Sequence, residues 1–181
     1  MSLNSRAIAA LGAVVVVGAA TVGTSVAIAA GQTEHISHRA TLTVGNSSIV
    51  ADPLCWNAGS PLTDDQQQKC QEDATKALHD GTLPTSDVVG SDRVGVGVSP
   101  NVADTGWWAF TNGGSSNQGG RYTLFSAAKG PTWSGAQSAN KVLNSSGKTV
   151  VTVVEGDPNQ EAPIAVWYFQ LKTEGNSSDN G

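Results

Sequence analysis

Hydrophobic and polar positions divide the chain into two unlike parts. No charged residue occurs from Ala7 to Thr33, and the run AIAALGAVVVVGAATVGTSVAIAA fills Ala7 to Ala30. These 24 residues, rising about 1.5 Å each in a helix, are long enough to cross a hydrocarbon core of about 30 Å. Beyond Ala30 the pattern becomes short and alternating. Ala40 to Val44 places Leu42 and Val44 on one face and Thr41 and Thr43 on the other, the period of a half-buried strand. Gly45-Asn46 is a turn signal, and Ser48 to Ala51 returns as a second strand leading to Leu54, Cys55 and Trp56. Val94, Val96 and Val98 alternate with Gly95 and Gly97. A strand with one bare face implies close approach by another backbone or by an aromatic ring. Trp107 to Phe110, Arg121 to Ser126, Thr149 to Val154 and Ile164 to Leu171 read as further strands.

One stretch has helical character. Ser60-Pro61 opens it, and Thr63 with Gln66 three residues on has capping-box spacing. Asp64 and Asp65 fall in the first turn, where the helix dipole favours them, and the pattern stops at Asp80-Gly81. Cys70, Ala74, Ala77 and Leu78 form its expected buried stripe. Pro84 to Asp92 reads as a loop, and Ser99-Pro100 as a break. Lys129 to Ser146 reads as loop-rich, with a short helix between Gly135 and Leu143. Asn112 to Gly120 (NGGSSNQGG) is a flexible hairpin tip by composition.

These elements predict a mainly β fold: an immunoglobulin-like antiparallel β-sandwich of six or seven strands with one inserted helix, preceded by an N-terminal hydrophobic helix. An antiparallel barrel is the alternative. The layout is an anchor or signal segment over residues 1–30, a linker over 31–39, the sandwich over 40–172 and a disordered tail over 173–181.

The N-terminal run supports two readings. Its length exceeds the roughly 7–15 residues of a secretory h-region and favours a retained single-pass anchor. Its Ala, Gly, Val and Thr content and the A-x-A pattern of Ala27-Ile28-Ala29 favour cleavage and secretion. Arg6 before the run and Glu34 after it place the N-terminus inside and the domain outside the cell. No cysteine follows the run, which argues against a lipid anchor. Gly12, Ala19, Gly23 and Ala27 recur on one side of it, a stripe able to pack on another membrane helix but ordinary for such composition.

Charge then narrows the partners. Beyond the N-terminal run stand 9 basic and 15 acidic residues, with no basic cluster. That excludes nucleic acid and a polybasic lipid-binding patch. Cys55 and Cys70 are the only cysteines. An even pair in an exported domain reads as a disulfide. The pair lacks both zinc spacing and the C-x-x-C of a redox site.

Catalytic constellations are missing. The three histidines are His35, His38 and His79. His35-x-x-His38 beside Glu34 has the donors of a metal site but reads as solvated linker, and His79 as a helix C-terminal cation. No metal and no cofactor is therefore expected. There is no G-x-S-x-G elbow. Asp64/Asp65 and Glu72/Asp73 are neighbours on the helix and face apart. Gly147-Lys148-Thr149 leads into a strand, where a phosphate-binding loop needs a helix. The tryptophans offer more. Trp107 and Trp108 point to opposite faces of one strand, so one belongs to the core. The other, and Trp133 in a Gly/Pro/Ser segment, are candidate interface residues unless a helix or loop covers them. Trp56 is expected to pack near the disulfide.

The segments ATLTVGNSSIVADPLCW, RVGVGVSPNVADTGWWAF, RYTLFS, VTVVEG and IAVWYFQLK, in this order from about Ala40 to Lys172, resemble the actinobacterial DUF2771 family of exported proteins. The resemblance implies export in a high-GC Gram-positive bacterium and carries no activity or functional residues with it. The expected function is a non-enzymatic cell-envelope binding or accessory domain, with a membrane protein as possible partner. The alternative is a freely secreted ligand- or glycan-binding protein, with an enzyme of unfamiliar type behind both.

Overall fold

The computed structural model describes residues 38–112, 123–144, 148–157 and 162–173, with backbone alone at 123–128 and 162. The anchor or signal reading of residues 1–30, the hairpin tip after Asn112 and the tail after Thr173 lie outside them. So does most of the linker.

The chain is mainly β. Strands β1 (Ala40–Val44) and β2 (Ser47–Ala51) form a hairpin. Then come β3 (Cys55–Trp56), helix α1 (Asp64–Asp80), β4 (Thr85–Val88), β5 (Arg93–Val98) and the short helix α2 (Pro100–Thr105). β6 (Trp107–Thr111), β7 (Thr123–Ala128), β8 (Trp133–Ser138), helix α3 (Ala139–Val142), β9 (Lys148–Asp157) and β10 (Ala162–Thr173) complete it. The smaller sheet has the order β2-β1-β5-β8, and the larger β3-β10-β9-β6-β7 with β4 added beside β10. Every pairing is antiparallel except β4 with β10.

Alternation decides which face each strand buries. Leu42, Val44, Val94, Val96 and Val98 of the smaller sheet meet Trp107, Ala109, Val151, Val153, Trp167, Phe169 and Leu171 of the larger in one core cluster. The intervening residues of the larger sheet are apolar too. Val154, Val166, Trp108, Phe110 and Tyr168 belong to a second cluster with Leu62, Cys55 and Cys70. A sheet apolar on both faces needs a covering layer on each, and α1 supplies the outer one.

Helix α1 is closely as its sequence predicts. Thr63 caps it, with Gln66 N donating to Thr63 Oγ1 at 3.3 Å and Thr63 N donating to Gln66 Oε1 at 2.9 Å. Gly81 ends it at φ 68°, a left-handed value at which glycine avoids the Cβ clash. Cys70 and Ala74 are its only buried residues, so packing alone holds it weakly. The Cys55–Cys70 disulfide joins it to β3, with the two Cα atoms 5.8 Å apart.

Three readings are corrected and one is extended. Ten strands stand among the described residues, more than the six or seven predicted. Thr85–Val88, read as loop, is a strand parallel to β10, set by Gln170 N donating to Pro84 O at 2.8 Å. Trp133–Ser138, also read as loop, is an edge strand on β5. With no position fully buried, its composition shows no alternation. The break at Ser99-Pro100 holds, since β5 ends at Val98, and it also opens α2, because the fixed φ of proline suits the first helical turn.

Because α1 is pinned more than packed, the Cys55→Ser/Cys70→Ser pair is expected to lose about 3 kcal/mol of stability, the chain-entropy value for a loop of this length. Urea unfolding followed by circular dichroism reads the loss. A change well under 1 kcal/mol would show that packing holds the helix.

Candidate functional site

A cleft runs between α1 and the outer face of the larger sheet. Its wider section, of about 440 Å³, lies between Gln71, Ala74, Thr75 and Leu78 of the helix and Phe110, Val150, Thr152 and Tyr168 of the sheet, closed by Leu83 and Asn112. A narrower section of about 220 Å³ adds Trp108, Val154, Pro163 and Val166 below, with Leu62, Gln67 and Cys70 above. Gln71, Phe110, Thr152 and Tyr168 line both sections, so they are continuous.

The floor follows from strand periodicity. Trp108 and Phe110 are two apart on β6, beside Val154 and Thr152 of β9, which in turn lie beside Val166 and Tyr168 of β10. Residues opposite one another in a ladder share a face. No lining residue is charged. Burial pushes the Tyr168 phenol above its ordinary value, so it stays a hydrogen-bond donor at neutral pH. With Gln71, Thr75 and Thr152 it gives an apolar cleft a few polar groups, as small-molecule sites have. The disulfide lies at the head of the cleft, where Cys70 forms part of the wall.

A second cluster sits at one end of the core. Glu155 is 1% exposed and faces inward on β9, beside Trp107 of β6 and Ala165 of β10. His38 Nε2 lies 3.5 Å from its Oε1. The His38 ring packs on Trp56, with centroids 5.2 Å apart, and its Nδ1 is 3.5 Å from Asn101 Nδ2. Burial raises the Glu155 carboxyl above the ordinary range, while the His38 charge and the Thr105 hydroxyl pull it partly back. Glu155 Oε2 and Trp167 Nε1 are buried without a hydrogen-bond partner. His38, read as solvated linker, is thus part of the domain's electrostatics. Arg39 pairs with Ser99 in both directions, its N donating to Ser99 Oγ at 3.2 Å and its carbonyl accepting from Ser99 N at 3.0 Å.

The three candidate interface tryptophans do not share a surface. Trp107 is fully buried between the sheets and donates from Nε1 to Pro131 O at 2.7 Å, so it offers no interface. Trp108 is half-buried on the cleft floor beneath α1. Trp133 lies on the other sheet and is 45% exposed. Trp56 is 52% exposed and rests on His38. His79 is exposed at the end of α1, 3.1 Å from Asp80 Oδ1; His35 lies outside the described residues. Among the described residues no three His, Cys, Asp or Glu side chains are grouped as metal ligands. Sequence reading missed Tyr168, Phe110 and Glu155. Both-faced apolarity in β6, β9 and β10 is the signal for the first two, and a lone carboxylate closing the run TVVTVVE for the third.

No family model, curated protein or solved structure matches the chain. The fold and cleft define a mainly β domain with a disulfide-pinned helix over an uncharged cavity.

The raised carboxyl fixes a pH dependence. The folded domain holds the Glu155 proton at pH values where the unfolded chain has released it, so stability falls as pH rises from the ordinary carboxylate value through the raised one. Glu155→Gln should flatten that part of the profile, and His38→Ala should steepen it by leaving the carboxylate without its cation. Urea midpoints at intervals from pH 4.5 to 8 test this. A wild-type profile unchanged by Glu155→Gln would remove Glu155 from the account.

Proposed function

We propose that this is a non-enzymatic, exported binding domain of the cell envelope. Its architecture is an immunoglobulin-like sandwich, and the N-terminal run Ala7 to Ala30 holds it at the membrane with the domain outside. The observation that carries the binding role is the cleft under α1. It is concave, aromatic-floored and uncharged, with Tyr168, Thr152, Gln71 and Thr75 as its polar groups. Such a lining suits an uncharged ligand with an apolar body and one or two hydrogen-bonding groups. An accessory role in a membrane protein complex agrees with the anchor-length segment, and the DUF2771 resemblance agrees with export from an actinobacterium. Cleavage after Ala27-Ile28-Ala29 is the second reading and yields the same domain as a secreted binder.

The neutral dye Nile red serves as a probe of the cleft. It is expected to brighten on binding the full chain. Gln71→Trp, which fills the cavity from an exposed helix position, should weaken binding at least tenfold, as should Phe110→Asp, which places a charge on the floor. Binding unaffected by either substitution would mean that the cleft is not the site.

The intact mass of the protein from fractionated cells separates the two locations. Full-length chain in the membrane fraction is expected for the anchor. A chain starting near Ala30 in the medium is the result for secretion.

A further inference from the structure

The outer face of the smaller sheet carries an aromatic platform that neither the cleft nor the core explains. Gly95 and Gly97 face outward on β5, and the Trp133 ring fills the space their side chains would take. A Cβ on Gly95 would lie 2.3 Å from Trp133 Cη2 and 2.5 Å from Cζ2, and one on Gly97 would lie 3.5 Å from Cε3. The six-membered ring therefore bridges both glycines. The backbone holds it from below, and 45% of the residue stays open to solvent.

The ring is bordered by threonines, with the exposed Val50 of β2 beyond Thr41 in the same row. Thr41 and Thr43 of β1 pair with Gly97 and Gly95 and share their outward face. Thr41 Cβ is 3.9 Å from the position a Gly97 Cβ would take. Ser48 of β2 lies beside Thr43, one strand farther, roughly 4.8 Å on. At the end of the same row, the exposed Arg93 guanidinium donates to Ala136 O on β8.

We infer that this face is a carbohydrate-binding platform, with Trp133 stacking on the C–H face of a neutral pyranose and Thr41 and Thr43 bonding its rim hydroxyls. A sugar ring has one apolar face and a polar edge, and the sheet presents a single aromatic face bordered by hydroxyls that both donate and accept. A ring fixed in place by two glycines loses little freedom on binding, which favours aromatic anchors in recognition sites. Charge supports an uncharged ligand over an anionic lipid surface. The chain beyond the N-terminal run has a 9 to 15 excess of acidic residues and no basic cluster. The platform and the cleft share no residue, and they lie on different sheets.

Tryptophan fluorescence titration of the full chain with cellohexaose, mannohexaose and laminarihexaose tests the inference, with anionic phosphatidylglycerol vesicles in parallel. Saturable binding to at least one oligosaccharide is expected. Trp133→Ala should weaken it at least tenfold, and Trp133→Phe should fall between the two. Thr43→Val, a half-exposed strand position that accepts valine, should weaken it severalfold with the fold intact. Gln71→Trp should bind the sugar as the unaltered chain does, which separates this site from the cleft. No saturable binding to any of the three sugars overturns the inference. So does equal binding by the Trp133→Ala and Thr43→Val variants, or a Trp133-dependent response to the vesicles alone.

Discussion

The constraint on which the structure depends is that three central strands of the larger sheet are apolar on both faces. Trp107, Val153, Trp167 and Phe169 point inward, and Trp108, Phe110, Val154 and Val166 point outward. Two antiparallel sheets facing each other satisfy only the first set. The second set requires a third layer, and the chain provides it by inserting α1 between β3 and β4. That helix has too little apolar surface to bind firmly, since Cys70 and Ala74 alone are buried. Covalent attachment through Cys55 therefore compensates for weak packing. The outcome is a roof pinned through Cys70 and tied to β10 at Leu62 and Pro84, over a floor that it does not fill, and the cleft is the space left between them.

Burial also governs the other end of the molecule. A carboxylate inside a core is costly unless it is paired or protonated. Glu155 has both routes within reach: His38 beside it, and a carboxyl whose proton affinity burial raises. The first residues of the domain are thereby coupled to its last long hairpin, and the Trp56 ring packs against the histidine ring.

Much of this was legible in the residues, though unevenly. Helix α1 was readable to its caps, because Thr63, Gln66 and Gly81 act through local geometry that needs no tertiary context. The disulfide followed from an even cysteine pair, and the bare face of β5 from the Val-Gly alternation that Trp133 now covers. Strands β4 and β8 were not legible. Both are edge strands without an alternating apolar pattern, and their pairing comes from neighbours distant in sequence, Gln170 for β4 and Gly95 for β8. The cleft was partly legible. Adjacent Trp107 and Trp108 required opposite faces, but which of them entered the core depended on how β6 paired with β9. Glu155 looked like a strand-end charge, since nothing local shows that α2 and His38 close over it.

The position of β10 has a consequence for how the chain acquires its shape. This strand, Ala162–Thr173, is the common partner of β3, β4 and β9, with Val166 paired to Cys55 more than a hundred residues earlier in sequence. It also supplies Val166 and Tyr168 to the cleft floor. Until residue 173 has been synthesised, the larger sheet has no spine and α1 has no complete surface to rest on. The smaller sheet, by contrast, has all four of its strands by Ser138. Closure of the larger sheet therefore depends on contacts far apart in sequence, with β10 as the strand that joins them.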